Sequence, residues 1–491
     1  MSLGLNGDKA VTQHAGNSEA TSHMLRPESS WDMQQVNAEF PLVDGFCARF
    51  PDAAPRWLVV TPGRINLIGE HTDYNGFPVM PIAIDKAIYV VAAPSDDKIV
   101  ELKSARPDAY ADRRFEVSTD IEPHRAGDWG NYAKAAVQSL ARLWQEHGKD
   151  AAGLRGMRCM VRGDIPSASG LSSSSALVIA SALAFAASTN QPELFETADA
   201  RRKLAERMAL AEHYVGTQGG GMDQAVCMLA EPGHALRIDF FPLRAYPIAF
   251  PEGYLVIAAH STVHASKAAM QRLAYNRRVL ECAIGKELLA RRLNAPDAEH
   301  LADLCHAEGA PALSQMAGML SDTIEGAENL SIAQAAKLLG VPPDEFVDTH
   351  LRMKDGSIMP EPADGLKVLP RCRHVFSEAA RVEAAAACLA CGDMEALGQL
   401  MDASHRSCAE DYEISVPQLD RLVELMCEAG ALGARLTGAG FGGFAIALVE
   451  TQAADAVRDK LAADFYLPRG FRPEENIFAS IPAPGARVKP L

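Results

Sequence analysis

The sequence predicts an α+β fold divided into two domains. Its 491 residues exceed one ordinary domain, since roughly 150 residues per domain gives a prior of two to four. Short β-rich runs alternate with helical patterns at residues 130–146 and 171–187. The same alternation starts again after about residue 233. We therefore expect two α+β domains that join between residues 230 and 250.

The first half of the chain predicts a mixed sheet covered by helices. Residues 1–38 mix Gly, Ser, Asn, His and charged residues, and we expect a flexible N-terminal tail. Strands are expected at residues 57–61, 79–84, 87–93, 99–103 and 157–162. Helices are expected at residues 43–50, 130–146, 171–187 and 200–214.

The second half predicts further strands around long helices. Strands are expected at residues 234–241, 254–260, 443–449 and 477–481. Helices are expected at residues 266–293, 375–391, 393–408, 417–430 and 453–465. Between residues 296 and 369 the sequence predicts only short helical pieces, at 332–339 and 342–347.

Composition narrows the class of protein. The chain carries 47 basic and 63 acidic residues, a net charge of −16, which argues against a nucleic-acid-binding protein but leaves a small anionic ligand such as a nucleotide open. The most apolar run, residues 176–187, is too short to cross a bilayer, and no N-terminal apolar segment suggests secretion. Ten dispersed cysteines are typical of reduced cytosolic thiols. A soluble cytoplasmic protein is expected.

The strongest motif is GDIPSASGLSSSSAL at residues 163–177. Here a predicted strand leads through small residues into a predicted apolar helix. Small residues let backbone N–H groups approach an anion, and a helix N-terminus adds partial positive charge. The four hydroxyls of residues 172–175 offer donors to phosphate and a possible magnesium ligand. The segment lacks the Gly-Lys-Ser/Thr ending of a P-loop, and the alternative is a serine-capped buried helix.

Two further segments gather polar groups and glycines. TPGRINLIGEHTDYNG, residues 61–76, places an arginine at a strand end and crowds carboxylates and an imidazole into a turn, which suits several sugar hydroxyls. Its alternative is a solvated polar loop. GTQGGGMDQ, residues 216–224, offers three glycines for close ligand approach and Asp223 as a candidate base. Its alternative is a plain turn with a capping aspartate.

The fourth segment is RLTGAGFGGF, residues 435–444. Gly438, Gly440 and Gly443 fit the spacing G-x-G-x-x-G. A dinucleotide fingerprint should follow a strand and open a helix near the start of a βαβ unit. Because these glycines precede a predicted strand late in the chain, we reject a Rossmann interpretation.

Together the four segments resemble the GHMP small-molecule kinases, in the branch of galactokinases and N-acetylgalactosamine kinases. The resemblance spans roughly residues 41–448. It implies the two-domain GHMP kinase fold, with a ribosomal-protein-S5-like N-terminal domain at 39–240 and a ferredoxin-like α+β C-terminal domain at 241–491. A variable helical insert is expected at about 296–369, and the active site is expected between the domains.

The resemblance also implies a role for each motif. The activity would be ATP-dependent phosphorylation of the anomeric hydroxyl of galactose, with Asp223 as base and Arg64 stabilising charge beside it. The residues implied to hold the sugar are Arg64, Glu70, His71, Asp73, Gly220, Asp223 and Tyr275. Those implied to hold ATP are Gly170, Leu171, Ser172, Ser173, Ser174 and Ser175, with Trp129, Asn131 and Tyr132 near the adenine. Ser174 would be a Mg²⁺ ligand.

Several sequence features leave the identity of the sugar substrate open. Many galactokinases carry a glutamate on the helix after the serines, where this chain has Val178. The Ser-Ser-Ser-Ser-Ala-Leu-Val version resembles N-acetylgalactosamine kinases, whereas Thr72, Asn75 and the run that begins at Tyr275 resemble galactose-specific members. A third alternative is a non-catalytic sugar sensor on the same fold, although such sensors resemble kinases with a damaged serine motif. Sugar and ATP are the expected partners, and we expect a monomer or weak oligomer.

Overall fold

The structure is a computed structural model that describes residues 41–150, 153–167, 170–216, 219–263, 268–352 and 358–491. The expected tail, residues 1–38, and the expected helix start at Ser266 lie outside the described residues. Within the described residues the α+β class is confirmed, because three antiparallel or mixed sheets pack against helices. No helix in the described part of the chain is long and apolar enough to cross a membrane.

The first half contains five helices and seven strands among the described residues. In chain order they are α1 Leu42–Arg49, β1 Trp57–Ile68, β2 Met80–Pro94, β3 Ile99–Ser104, β4 Arg113–Glu116, α2 Gly130–Glu146, β5 Met157–Gly163, α3 Ser173–Ser188, α4 Ala198–Ala211, α5 Met222–Leu229, β6 His234–Asp239 and β7 Arg244–Ala249.

The second half is richer in helix. Its elements are β8 Tyr254–His260, α6 Ala268–Arg292, α7 Met316–Thr323, α8 Ile332–Leu338, α9 Pro343–Phe346, α10 Val368–Cys391, α11 Met394–Glu410, α12 Pro417–Glu428, β9 Gly433–Thr437, β10 Phe444–Glu450, α13 Ala454–Leu461, α14 Pro473–Asn476, β11 Ile477–Ser480 and β12 Arg487–Pro490.

A six-stranded sheet forms the first layer, in the order β12-β1-β2-β5-β3-β4. Strands β1 and β2 make a long antiparallel hairpin whose register shifts at Pro62/Arg64 and again at Asn66/Ile68. The sequence predicted that β1 ends at Thr61, but the strand continues through this bulge to Ile68. A bulge turns the strand and re-aims side chains, so the polar residues that follow Pro62 leave the regular ladder pattern.

A four-stranded antiparallel sheet, in the order β11-β8-β10-β9, separates two hydrophobic cores. Successive side chains of a strand point to opposite faces. On β10, accordingly, Phe444, Ile446 and Leu448 join the core of the first sheet. Ala445, Ala447 and Val449 join the second core. One buried strand thus belongs to both halves of the molecule.

The second core also includes the segment for which the sequence predicted a variable insert. Met316, Leu320, Ala335 and Phe346 are all fully buried there. Helices α7, α8 and α9 are therefore part of the packed C-terminal half. The last strand, β12, pairs with β1 of the first sheet. The domain boundary at residue 240 stays a prediction.

Candidate active site

The four sequence motifs meet around one cavity of about 870 Å³. Its walls come from the loop after β1, the N-terminus of α3, the turn before α5, helix α6 and the loop between β9 and β10. Predicted residues that line it are Arg64, Glu70, His71, Asp73, Asn131, Tyr132, Gly170, Ser174, Ser175, Asp223 and Tyr275. Residues as far apart in sequence as Arg64 and Gly443 therefore build a single site.

An ion pair between Arg64 and Asp223 lies at the centre of these motifs. The Arg64 guanidinium donates from Nε to Asp223 Oδ1 at 2.8 Å, and its Nη2 approaches the same oxygen at 2.7 Å. Its Nη1 donates to the carbonyl oxygen of Gly170, at the start of the serine loop. Arg64 is 4% exposed, whereas a quarter of the Asp223 side chain is accessible. The Asp223 carboxylate is thus accessible from the cavity, while the buried Arg64 holds it in place.

The serine loop, residues 170–175, begins helix α3 on the cavity wall. Ser172 has a left-handed backbone with φ of 62°, which turns the chain into the helix. Its buried Oγ has no hydrogen-bond partner in the described structure, and such a group ordinarily has one. Leu171 contributes its carbonyl oxygen to the Arg64 N–H, and its side chain is buried in the core. The N-terminus of α3 lies beside Gly170, Ser174 and Ser175, which line the cavity, and it can attract a bound anion.

A glycine-rich loop, residues 438–443, covers the serine loop. Gly438 approaches so closely that a Cβ there would lie 2.5 Å from the carbonyl oxygen of Gly170. Gly440 and Phe441 also have positive φ angles, of 78° and 61°. The loop joins β9 to β10 and opens no helix, which confirms that it is not a dinucleotide fingerprint. Its glycines allow two loops to touch through their backbones.

Glu70 is held rigidly at the base of the cavity. Its Oε1 accepts hydrogen bonds from the Gly438 N–H at 2.8 Å and from Arg435 Nη1 at 3.3 Å. Glu70 is 2% exposed and Arg435 is fully buried. Burial raises the pKa of Glu70, and the positive charges of Arg435 and Arg64 oppose that rise. Arg435 was not singled out from the sequence, although it lies at the start of the fourth motif.

Asp73 and Gly220, both predicted to hold the sugar, lie in direct contact. The Gly220 N–H donates to Asp73 Oδ2 at 3.1 Å. A Cβ at Gly220 would lie 2.7 Å from Asp73 Cγ, so only glycine fits this approach. Burial raises the pKa of Asp73 to about 6, and the nearby Asp223 carboxylate adds to the rise. A third carboxylate therefore faces the cavity beside Glu70 and Asp223.

Aromatic rings form the wall next to these carboxylates. The ring of His71 lies 5.2 Å from that of Tyr275 on α6, and Tyr74 contacts Tyr275 at 5.8 Å between ring centroids. Burial lowers the pKa of His71 to about 3, so this imidazole is neutral at physiological pH. Tyr74 was not singled out from the sequence, although it directly follows Asp73.

The three residues predicted near the adenine differ in position. Tyr132 and Asn131 line the cavity, but Trp129 does not. The Trp129 Nε1–H donates to the carbonyl oxygen of Ala111, and its ring packs against Tyr110. Asn131 uses its amide to brace the neighbouring loop, since its Oδ1 accepts from the His124 N–H at 2.8 Å. Pro123, His124, Tyr214 and Val215 complete this end of the cavity.

Glu212 is the functional candidate that the sequence analysis missed. It follows α4, is 6% exposed and lines the cavity. Its Oε2 accepts a hydrogen bond from Ser175 Oγ at 2.7 Å and another from Gln224 Nε2. Burial raises its pKa to about 7. No local pattern marks it, because its neighbours read as ordinary helix. Only the fold brings it to the serine loop.

The serine loop and Glu212 carry oxygen atoms of the kind that Mg²⁺ binds. Mg²⁺ prefers oxygen ligands and is usually bound by one or two carboxylates together with substrate phosphates and water. The described residues contain no cluster of three histidine, cysteine or acidic side chains that could hold a metal alone. Ser174, Ser175 and Glu212 supply some oxygen atoms, and the phosphates of a bound triphosphate would have to supply further ligands. Val178 is fully buried in the apolar core, so it contributes nothing to this site.

Comparison with known proteins identifies the same segments. Residues 44–94 match a family model described as the galactokinase galactose-binding signature. Residues 131–231 match the GHMP kinases N-terminal domain, and residues 382–467 match the GHMP kinases C-terminal model. The first match covers the motif of Arg64 and Asp73, and the second covers the serine loop and Asp223.

Curated relatives match over most of their length. A galactokinase of Chloroflexus aggregans is 34% identical over 86% of this chain and 91% of its own. A galactokinase of Saccharomyces cerevisiae is 30% identical over 84% of this chain and 87% of its own. Such identity over such coverage extends well beyond the motifs.

Solved structures share the fold. Lactococcus lactis galactokinase complexed with galactose superposes with a TM-score of 0.67 at 25% identity, over 92% of this chain and 99% of that one. A mevalonate kinase, at 18% identity, superposes with a TM-score of 0.50 over 86% of this chain and 98% of its own, which shows likeness of fold alone. The chain therefore has the GHMP kinase fold and belongs to the galactokinase family.

Proposed function

We propose that the protein is a galactokinase that transfers the γ-phosphoryl group of ATP to the anomeric hydroxyl of galactose. The products are galactose 1-phosphate and ADP. One observation carries the proposal: the Arg64–Asp223 pair lies where the predicted sugar loop, residues 61–76, and the serine loop meet in a single cavity. An acceptor hydroxyl on Asp223 would then lie beside a phosphate held by the serine loop.

Asp223 and Arg64 act on the reacting atoms. Asp223 accepts a hydrogen bond from the anomeric hydroxyl, orients its oxygen toward phosphorus and takes up its proton as the new P–O bond forms. Phosphoryl transfer passes through a loose transition state, so orientation and charge neutralisation supply most of the rate. Arg64 is already fixed by Asp223 and Gly170, and it stabilises negative charge with little reorganisation.

The carboxylates and aromatic rings hold the sugar. Glu70 and Asp73 accept hydrogen bonds from sugar hydroxyls, and His71 and the Gly220 backbone contribute further polar contacts. Tyr275 closes the pocket from α6, against the ring of His71. Because Glu70 is buried and paired with Arg435, its geometry is set before the sugar binds.

The serine loop and Glu212 hold the nucleotide. Backbone N–H groups and the hydroxyls of residues 172–175 bind the triphosphate at the N-terminus of α3. Ser174 and Glu212 would hold Mg²⁺, which would supply positive charge to neutralise the phosphates. The buried Ser172 hydroxyl, which has no partner in the described structure, supports this assignment. Tyr132 lies near the adenine.

An N-acetylgalactosamine 1-kinase of the same family is the second candidate. Val178 and the run of four serines favour it, whereas Thr72 and Asn75 favour galactose. Thr72 is buried and donates to the carbonyl oxygens of Gly69 and Pro78, and Asn75 donates to that of His71. These two side chains therefore shape the sugar loop, and we give galactose priority. A non-catalytic sensor is disfavoured because Arg64, Asp223 and the serine run are all present.

We further propose that the protein acts in the cytoplasm as a monomer or weak oligomer, without nucleic-acid partners. All ten cysteines are free, and five of them are buried. Reduced thiols of this kind suit a reducing compartment.

Release of ADP tests the proposal. The protein is mixed with Mg-ATP and galactose, N-acetylgalactosamine or no sugar, each at the same concentration. A dominant rate with galactose is expected. A dominant rate with N-acetylgalactosamine would favour the second candidate. No turnover with either sugar, together with thermal stabilisation by both, would favour a sensor.

A further inference from the structure

A chain of hydrogen bonds runs from the cavity into the second core. His71 Nδ1 lies 2.9 Å from the Tyr74 hydroxyl, which lies 2.8 Å from the Tyr412 hydroxyl. The Tyr412 hydroxyl in turn lies 3.3 Å from Cys282 Sγ. At the other end, His71 Nε2 lies 3.3 Å from the carbonyl oxygen of Ala439 in the glycine-rich loop.

The donor and the acceptor of each hydrogen bond follow from the Ala439 carbonyl oxygen at one end. A carbonyl oxygen only accepts, so the proton of the neutral imidazole must lie on Nε2. Nδ1 then accepts from Tyr74, whose single hydroxyl proton is used there. Tyr412 must therefore donate to Tyr74, and it accepts from the Cys282 thiol. No other assignment satisfies all four contacts with a neutral imidazole.

The side chains that form these hydrogen bonds are also held rigidly. Tyr412 is fully buried, and its carbonyl oxygen accepts from Arg278 Nε at 3.0 Å. The ring of Tyr412 packs against His71 at 4.8 Å and against His374 at 4.4 Å between centroids. His71 itself has a φ of 61°, so its backbone is held in a strained left-handed conformation. A rotation of the imidazole would break several of these contacts together.

We propose that Tyr74, Tyr412 and Cys282 are positioning residues that fix His71 as the neutral tautomer with its proton on Nε2. His71 then offers only a donor to the cavity, whereas Glu70, Asp73 and Asp223 offer acceptors. His71 and Ala439 both line the cavity, so the Nε2 proton can be shared between the Ala439 carbonyl oxygen and a sugar oxygen without rotation of the ring. This consequence for sugar recognition rests on the proposed function; the tautomer itself does not.

Nitrogen-15 NMR of histidine-labelled protein tests the tautomer directly. The chain has 14 histidines, so the His71 signals are assigned by their loss in His71→Asn. We expect a protonated Nε2 and an unprotonated, hydrogen-bonded Nδ1. In Tyr74→Phe the Nδ1 signal should move to the position of a nitrogen without a donor. In Tyr412→Phe it should move less, because Tyr74 can still donate.

Sugar kinetics supply the second readout. Loss of one hydrogen bond to His71 should raise the KM for galactose roughly three- to tenfold in Tyr74→Phe, with a smaller change in kcat. The matched control is Tyr466→Phe, since Tyr466 is also fully buried and donates to the His260 carbonyl oxygen away from the cavity. It should leave both His71 signals and the KM unchanged.

The outcomes separate this inference from the proposed function. The proposed hydrogen-bond chain would be overturned by a protonated Nδ1 in the unmodified protein. It would also be overturned if the Nδ1 signal were the same in Tyr74→Phe and Tyr412→Phe as in the unmodified protein. If Tyr74→Phe does not fold, the smaller shift in Tyr412→Phe decides the matter. If the protein shows the expected tautomer but phosphorylates no sugar, the result would support the hydrogen-bond chain and refute the proposed function.

Discussion

Glu212→Gln should stabilise the protein above pH 7 while it impairs turnover. The substitution keeps the shape of the side chain and an oxygen that can accept from Ser175, but it removes a buried charge. Burial raises the pKa of Glu212 from 4.5 to about 7, so the folded state favours the protonated acid. The stability from this group is complete below pH 4.5 and is lost as the pH rises to about 7.

The size of the effect follows from those two pKa values. At about 1.4 kcal/mol per pH unit, the ionised carboxylate costs the folded state about 3 kcal/mol above pH 7. Urea unfolding at pH 5 and pH 8 should therefore show that the advantage of Glu212→Gln over the unmodified protein grows by roughly 2 to 3 kcal/mol between them. With Mg-ATP and galactose, the turnover of the variant should fall at least about tenfold, since the proposed magnesium ligand is lost.

The exposed Glu193 provides the control. Glu193→Gln should change stability by less than about 0.5 kcal/mol at both pH values and should leave turnover unchanged. The reasoning would be refuted if Glu212→Gln had the same effect on stability at pH 5 and pH 8. A variant with normal turnover would remove Glu212 from the magnesium site.

Three other substitutions test the site. Asp223→Asn should cut turnover at least about a hundredfold with little change in galactose affinity by calorimetry, and a near-normal rate would exclude Asp223 as the base. Arg435→Met should lower the free energy of urea unfolding by about 3 to 5 kcal/mol, because the buried Glu70 carboxylate loses its ion-pair partner. A loss below about 1 kcal/mol would contradict that pairing. Gly220→Ala should weaken galactose binding, since its methyl group would meet Asp73, whereas Gly219→Ala meets open space and should weaken it less; equal losses would count against the close approach.

Much of the fold could be predicted from the sequence because strong local patterns mark it. The helix at Gly130–Glu146 and the strand at Tyr254–His260 have the predicted bounds. Strands β4, β7, β9 and β12 were missed. Strands β4 and β12 have only four residues each, and β12 takes its partner, β1, from the other end of the chain. The long β1 was cut short at Thr61, because Pro62 and Gly63 ordinarily end a strand and here form a bulge.

The candidate site was predicted where its residues lie in compact motifs. Arg64, Asp73, Asp223 and the serines stand in unusual local sequences, and the fold brings them to one cavity. Glu212 was missed because its neighbours give no local signal. Trp129 was placed near the adenine, yet its indole is turned toward Ala111, outside the cavity lining. Side-chain direction after a loop depends on packing that sequence spacing does not reveal.

Phosphorus-31 NMR of the reaction product tests the central claim most directly. The protein is incubated with Mg-ATP and galactose, and each new signal is examined for coupling to a sugar proton. We predict one new phosphomonoester, coupled to the anomeric proton, that grows in step with ADP and is lost in Asp223→Asn. A phosphate on another carbon, or inorganic phosphate as the only product, would contradict the proposed function.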